Sequence, residues 1–460
     1  MRAYLLPLAL ALGSCAPATP IAGAFETATR TAFAPDDRAT LPAMKTFGAP
    51  KPAPVQTSNA DLARDFLDLA FRLESGRALP VLTRFEGPIR LRVTGKPPGA
   101  FGPDLTRLLY RLQREAGIDI TLTRDPEASI TIEAVSRADI RKALPQAACF
   151  VVPNVRSIKD YRSAKRAPQT NWTTLRTRQK IAIFIPYDVS PQEMRDCLHE
   201  ELAQALGPLN DLYRLPDSVF NDDNVHTVLT GHDMLILRAY YDPALRSGMS
   251  REQVAARLPD ILARIHPDGE NQPSRFARAT PIEFSLAIQT ALGPGATRSE
   301  RAASAQRALG IAQAQGWQDN RRAFAHFAAG RLMQRDDPAQ AKAHFEMANQ
   351  FYSRTPNAGL HQAYVAAQLA AYALAEGDGA SALRRINASL PATVGSENAA
   401  LLATLLMMKA EALELTGQMT EARAIRLDSL GWARYGFGPD WAVRAKEREI
   451  AALNPLKGRS

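Results

Sequence analysis

The residues whose types and spacing could do chemistry lie close together, in Glu200-Glu201-Leu202-Ala203-Gln204-Ala205-Leu206-Gly207-Pro208-Leu209-Asn210-Asp211. Ser190, Pro191 and Glu193 open a helix as cap, first-turn proline and capping-box acid, and Gly207-Pro208 stops it. At about 100° per residue, Met194, Cys197, Leu198, Leu202 and Ala205 form one apolar stripe. Glu201 falls inside that stripe, Glu200 and Gln204 run along its edge, and His199 points to the opposite side. A carboxylate on an apolar face is costly unless it is paired, metal-bound or functional. The structural reading of the same position is a carboxylate at a solvated margin, or one that accepts backbone N–H groups.

The spacing resembles the zinc helix of metzincin peptidases, H-E-x-x-H-x-x-G-x-x-H/D. In that pattern two histidines four apart bind zinc, the adjacent Glu is the general base, and Gly lets a third ligand return. The resemblance implies that Glu201 is the candidate general base and Gly207 the turn glycine. All three ligand positions depart from the pattern. Glu200 and Gln204 replace the histidines, and Asn210 stands third with Asp211 beside it. Zinc is therefore a possible cofactor, held by Glu200, Gln204, Asn210 and Asp211 as candidate positions; carboxylates suit it, but a neutral amide oxygen is a poor substitute for imidazole. Reading one residue earlier, from His199-Glu200, puts Ala203 where the second ligand belongs, and His226 and His232 read as loop histidines.

Downstream, Asp217 to Phe220 and Leu229 to Tyr241 are similar to the Met-turn and closing helix of matrixin-like members, with Phe220 at the Met-turn position. The same segment resembles a bacterial family of exported proteins described only as a domain of unknown function.

The elements that must position this helix alternate between periods of 2 and 3.6. A helix capped near Ser58-Asn59 runs to about Glu74, and a second carries Leu105, Leu108, Leu109, Leu112 and Ala116. Strands read at Ile89 to Val93, Ile118 to Leu122, Ile130 to Ala134, Cys149 to Val152 and Lys180 to Ile185, with a short helix at Ala138 to Leu144. The Arg-rich stretch Arg156 to Arg178 reads as a solvated loop. Together with the resemblance, this predicts an α+β zincin-like (metzincin-like) domain over 58–265.

An all-α helical repeat domain, similar to tetratricopeptide repeats, follows over 270–455. Asp337-Pro338-Ala339, Asp378-Gly379-Ala380 and Gln418-Met419-Thr420 recur at intervals of 41 and 40 residues. Small residues precede each hinge (Ala329-Gly330, Ala366-Ala367, Ala410) and larger ones follow (Phe345, Ile386, Leu427), as stacked hairpins require. Met407 and Met408 read as core, and Trp432, Tyr435, Phe437 and Trp441 as a cap on the last repeat. An array of this kind predicts a protein or peptide partner.

The ends and the cysteines give an address. Met1-Arg2, an apolar run from Ala3 to Leu12 and then Leu12-Gly13-Ser14-Cys15 read as a lipoprotein signal peptide over 1–14, resembling a lipobox with Cys15 as the lipidation site. Ala16 after it favours the outer membrane. Residues 15–57, rich in Pro and Ala, read as a tether of roughly 35 Å. Of the 3 cysteines this leaves Cys149 and Cys197, which an oxidising compartment would bond.

The chain of 460 residues is 46% apolar and 22% charged, a globular composition, with a net charge of +9. No phosphate-binding loop, dinucleotide fingerprint or nucleophile elbow occurs. Scattered charge and the export signal exclude nucleic acid and favour an anionic membrane surface. The expected function is that of a lipid-anchored cell-envelope protein facing the periplasm, a pseudo-peptidase with a repeat array for protein interaction. The alternative is an envelope metallopeptidase that uses Glu201 as general base at an atypical metal site.

Overall fold

The computed structural model describes residues 41–48 and 54–457. The expected signal peptide, the expected lipidation site Cys15 and most of the stretch read as a tether lie outside the described residues.

The N-terminal region is a mixed sheet between helices. Its strands are β1 (Ile89–Gly95), β2 (Ile120–Leu122), β3 (Ile130–Val135), β4 (Phe150–Pro153) and β5 (Ile181–Pro186). They lie in the order β2-β1-β3-β5-β4, all parallel except the β4-β5 pair. β5 is buried along its whole length and has no polar alternation, because helices cover both faces. The helices are α1 (Asn59–Ala70), α2 (Phe101–Glu115), α3 (Arg137–Ala143), α4 (Ile158–Ala164), α5 (Pro191–Leu206), α6 (Gly231–Tyr240), α7 (Arg251–Ala255) and α8 (Leu258–Ile265). Alternate residues of β5 divide between two cores. Ile181, Ile183 and Ile185 pack with Leu198 and Leu202 of α5, while Ala182 and Phe184 pack with Ile140 of α3 and Tyr161 of α4.

Two local expectations change. α1 stops at Ala70, because the chain turns back at Gly76, whose φ of 79° suits glycine, and bridges Arg72 to Ala78. Glu74 therefore lies on a turn and not on the helix. The Arg-rich stretch holds α4, capped by Ser157, and ends in Arg178, which is only 2% exposed.

The C-terminal region is helical throughout: α9 (Ile282–Leu292), α10 (Arg298–Ala314), α11 (Asn320–Met333), α12 (Pro338–Arg354), α13 (Gly359–Ala375), α14 (Gly379–Gly395), α15 (Ala399–Leu415), α16 (Met419–Phe437) and α17 (Asp440–Ala451). The recurring hinges lie where α12, α14 and α16 begin; Asp337 and Asp378 cap the first two through the N–H of Gln340 and Ser381. Gly330 is small for a reason that can be measured. A Cβ there would lie 2.9 Å from the Phe345 ring, so glycine lets α11 and α12 approach closely. Phe345 and Ile386 are buried knobs, but Leu427 is 61% exposed. Arg426 takes the corresponding register on α16 and pairs with Glu411 and Glu414 of α15. Met407 and Met408 are core. The terminal aromatics divide: Tyr435 is buried and donates to Asp104 of α2, whereas Trp441 is 74% exposed.

Residues 41–48, within the stretch read as tether, are held in the seam between the two regions. Lys45 N–H donates to the Gly431 carbonyl at 3.0 Å, Arg434 donates to the Pro42 carbonyl, and Phe47 lies 4.6 Å from Trp432. Arg107 of α2 caps the segment by donating to the Phe47 and Gly48 carbonyls. Proline-rich composition hid these contacts, since backbone carbonyls accept from arginine whatever side chain they carry.

Candidate functional site

α5 is the central helix of the molecule. Ser190 Oγ accepts from the Glu193 N–H, Pro191 occupies the first turn, and the Glu193 carboxylate pairs with Arg137. Cys197 is bonded to Cys149, which fastens the helix to the start of β4. The sheet covers one side of α5, and α2 and α16 cover others, so both the stripe and the side opposite it are buried. His199, expected to point away from the stripe, is accordingly buried. Its Nδ1 accepts from the Leu229 N–H at 3.0 Å, and burial, then Arg195, Arg111 and Arg107, push its basicity well down. It is a neutral acceptor that fixes the loop before α6.

The far end of α5 is held by a residue with no sequence signal. Arg178 donates to the carbonyls of Gln204, Ala205 and Gly207 and stacks on Trp172 at 5.1 Å, satisfying the orphan carbonyls of the last turn. The chain then turns at Gly207, where a Cβ would meet the Tyr240 ring at 3.0 Å. That contact fixes the path of Leu209, Asn210 and Asp211.

The candidate ligand positions divide: Glu200 and Asp211 lie in one carboxyl cluster with Gln204 beside Glu74, and Asn210 does not join it. Asn210 is turned to α1, where its amide donates to the Asp68 carbonyl at 3.0 Å. Gln204 is buried, and its amide nitrogen lies 3.4 Å from Glu74 Oε1. Glu200 is half-buried and Glu201 is 5% exposed. Phe220, at the Met-turn position, is fully buried, and its carbonyl accepts from the Leu212 N–H. His226 Nε2 lies 3.0 Å from the Pro216 carbonyl, and His232 is buried in α6.

What gathers around Glu200 and Glu201 is a set of carboxyls. Two of them, Glu74 from the turn after α1 and Asp222 from the loop before α6, were not singled out in the sequence. Burial, then Glu74 and Asp222, push the Glu200 carboxyl up to about 8. Burial, then Glu200 and Glu74, raise Glu201 well above its ordinary value. Asp211 is raised by burial and then by Glu74, Glu200, Asp222 and Glu201. Glu74 is raised by burial and by Asp222. Burial lifts Asp222 to about 6 against hydrogen bonds from Tyr213 and from Gln289 of α9. Glu201 Oε2 and Asp211 Oδ1 are buried and have no hydrogen-bond partner among the described residues. Crowded carboxyls shielded from water hold their protons to higher pH than exposed ones, because one ionised member disfavours ionisation of the next.

These donors do not fit zinc. Among the described residues, no three or more His, Cys, Asp or Glu side chains are arranged to hold a metal ion. Asn210 offers its amide to the backbone, and imidazole is absent from the candidate positions. What the arrangement can do chemically is hold and exchange protons. Sequence periodicity could not have found Glu74 or Asp222, since both reach the cluster from irregular segments.

A search of curated proteins finds no match to the chain. Residues 59–260, which hold the sheet, α5 and all five of these carboxyls, match the family described as protein of unknown function (DUF2927), so the chain carries a domain of that family there.

Proposed function

We propose that this is a lipid-anchored cell-envelope protein whose N-terminal domain is a non-catalytic, zincin-like scaffold and whose tetratricopeptide-like array binds a protein or peptide partner. The observation that carries the first part is the use made of the candidate ligand positions. Asn210 holds α1, Gln204 faces Glu74, and Glu200 shares a proton-retaining cluster. The sheet order, with antiparallel β4 at the edge and α5 laid across it, supports the zincin-like reading. Hairpins of near-constant period support the repeat reading. The anchor would be Cys15, on a membrane facing the periplasm and, from Ala16, the outer one. Among the described residues no helix is long and apolar enough to cross a membrane.

The test is peptide hydrolysis by the full chain with added zinc, beside Glu201→Ala. The expected result is equal, background hydrolysis in both. Chelator-sensitive cleavage that Glu201→Ala abolishes without unfolding would instead establish a metallopeptidase with Glu201 as general base. Replacing Cys15 by Ser should release the chain from the membrane fraction, and retention there would contradict the anchor.

A further inference from the structure

The helical hairpin of α11 and α12 holds a histidine pair apart from the carboxyl cluster. His326 of α11 and His344 of α12 face each other through a hydrogen bond between their Nδ1 atoms, 3.0 Å apart, whose proton a bound metal would displace to Nε2, and their ring centroids are 5.3 Å apart. Both are half-buried. His326 stacks on Phe351 at 5.7 Å, and the close approach of Gly330 to Phe345 fixes the separation of the two helices one turn away. Two imidazoles on rigid elements are thus held with the same ring nitrogens facing.

We propose that His326 and His344 form a binding site for a divalent transition-metal ion, copper(II) before zinc, with water in the remaining positions. A metal about 2.0–2.1 Å from each nitrogen separates two ligands by about 2.9 Å at a right angle and about 3.4 Å at a tetrahedral one. The observed 3.0 Å lies near the right-angle value, which is the geometry copper(II) prefers, and copper(II) also leads the affinity order of divalent ions for imidazole. A small tilt of each ring, which half-exposed side chains permit, brings both lone pairs onto one ion. Each ring then carries its proton on Nε2.

Protons compete little for the site. Burial, then His344 and Arg322, depress His326 to about 4, and burial lowers His344. Arg322 is the cation facing the pair; its guanidinium lies over Phe351 at 4.6 Å and opposes a second positive charge. This sets an upper limit on affinity.

The experiment is a copper(II) titration of the full chain at neutral pH, followed by calorimetry and electron paramagnetic resonance. The expected result is about one equivalent bound with two imidazole nitrogens coupled to the metal. His326→Gln and His344→Gln should each weaken binding about tenfold or more, whereas His226→Gln should leave it unchanged. Melting of each variant without copper shows that it folds, and copper should raise the midpoint of the parent chain only. Affinity within about twofold of the parent in either histidine variant, or a signal with no coupled imidazole pair, would overturn the proposal.

Discussion

Two sets of buried charge in this molecule have the same surroundings and opposite chemistry. In the seam between the regions, Arg195 of α5 is fully buried and donates to the Glu397 carboxylate and carbonyl, with Tyr435 and Phe47 against its guanidinium. Arg107 shares Glu397 at 3.0 Å, and His361 meets Asp223 at 2.7 Å. At the far end of the same helix, Glu200 and Glu201 meet Glu74, Asp211 and Asp222, and the charges that raise them are one another's. Burial alone therefore does not mark a functional group. The difference is compensation: in the seam Arg195 and Arg107 share the Glu397 carboxylate, while the carboxyls of the cluster face one another.

Breaking the seam should have the largest effect. Glu397→Gln leaves Arg195 and Arg107 without their shared carboxylate, and a buried charge stripped of its partner costs about 3–5 kcal/mol; urea unfolding measures it. Opening Cys149–Cys197 by Cys149→Ser with Cys197→Ser removes a link across 48 residues, expected to cost about 2–4 kcal/mol in the same assay. Gly207→Ala sets a methyl against the Tyr240 ring and should cost about 1–3 kcal/mol, moving the turn that carries Asp211. Replacing Glu200 by Gln should act in the opposite direction, raising stability at pH 8 by about 1–2 kcal/mol with little change at pH 5.

Much of the frame was readable in the sequence. The caps at Ser58 and Ser190, the apolar run of β5 and the recurring hinges are local signals, and each marks an element of the structure. Cys149 and Cys197 were paired by the oxidising compartment expected for them. Long-range contacts were not readable. Nothing near Arg178 in sequence announces the α5 carbonyls, so its stretch reads as a solvated loop; His199 reads as pointing away from the buried side because a wheel reports one stripe, whereas α5 is covered on several sides. Of the cluster, Glu200, Glu201 and Asp211 stood in a recognisable spacing, but Glu74 and Asp222 join only through the tertiary fold.

Burial and mutual crowding hold a proton on Glu200 within the carboxyl cluster around α5. The sign follows from linkage: the folded chain holds the Glu200 proton up to about 8, whereas the ordinary value is 4.5, so the folded state binds more protons and stability falls as pH rises between them. The direct measurement is unfolding free energy across that window, with and without chelator, in the His344→Gln background so that the histidine pair contributes nothing. The expected result is a decline toward pH 8 that chelator leaves unchanged and Glu200→Gln flattens. Stability that is level with pH, lowered by chelator and lowered again by Glu200→Gln would contradict it.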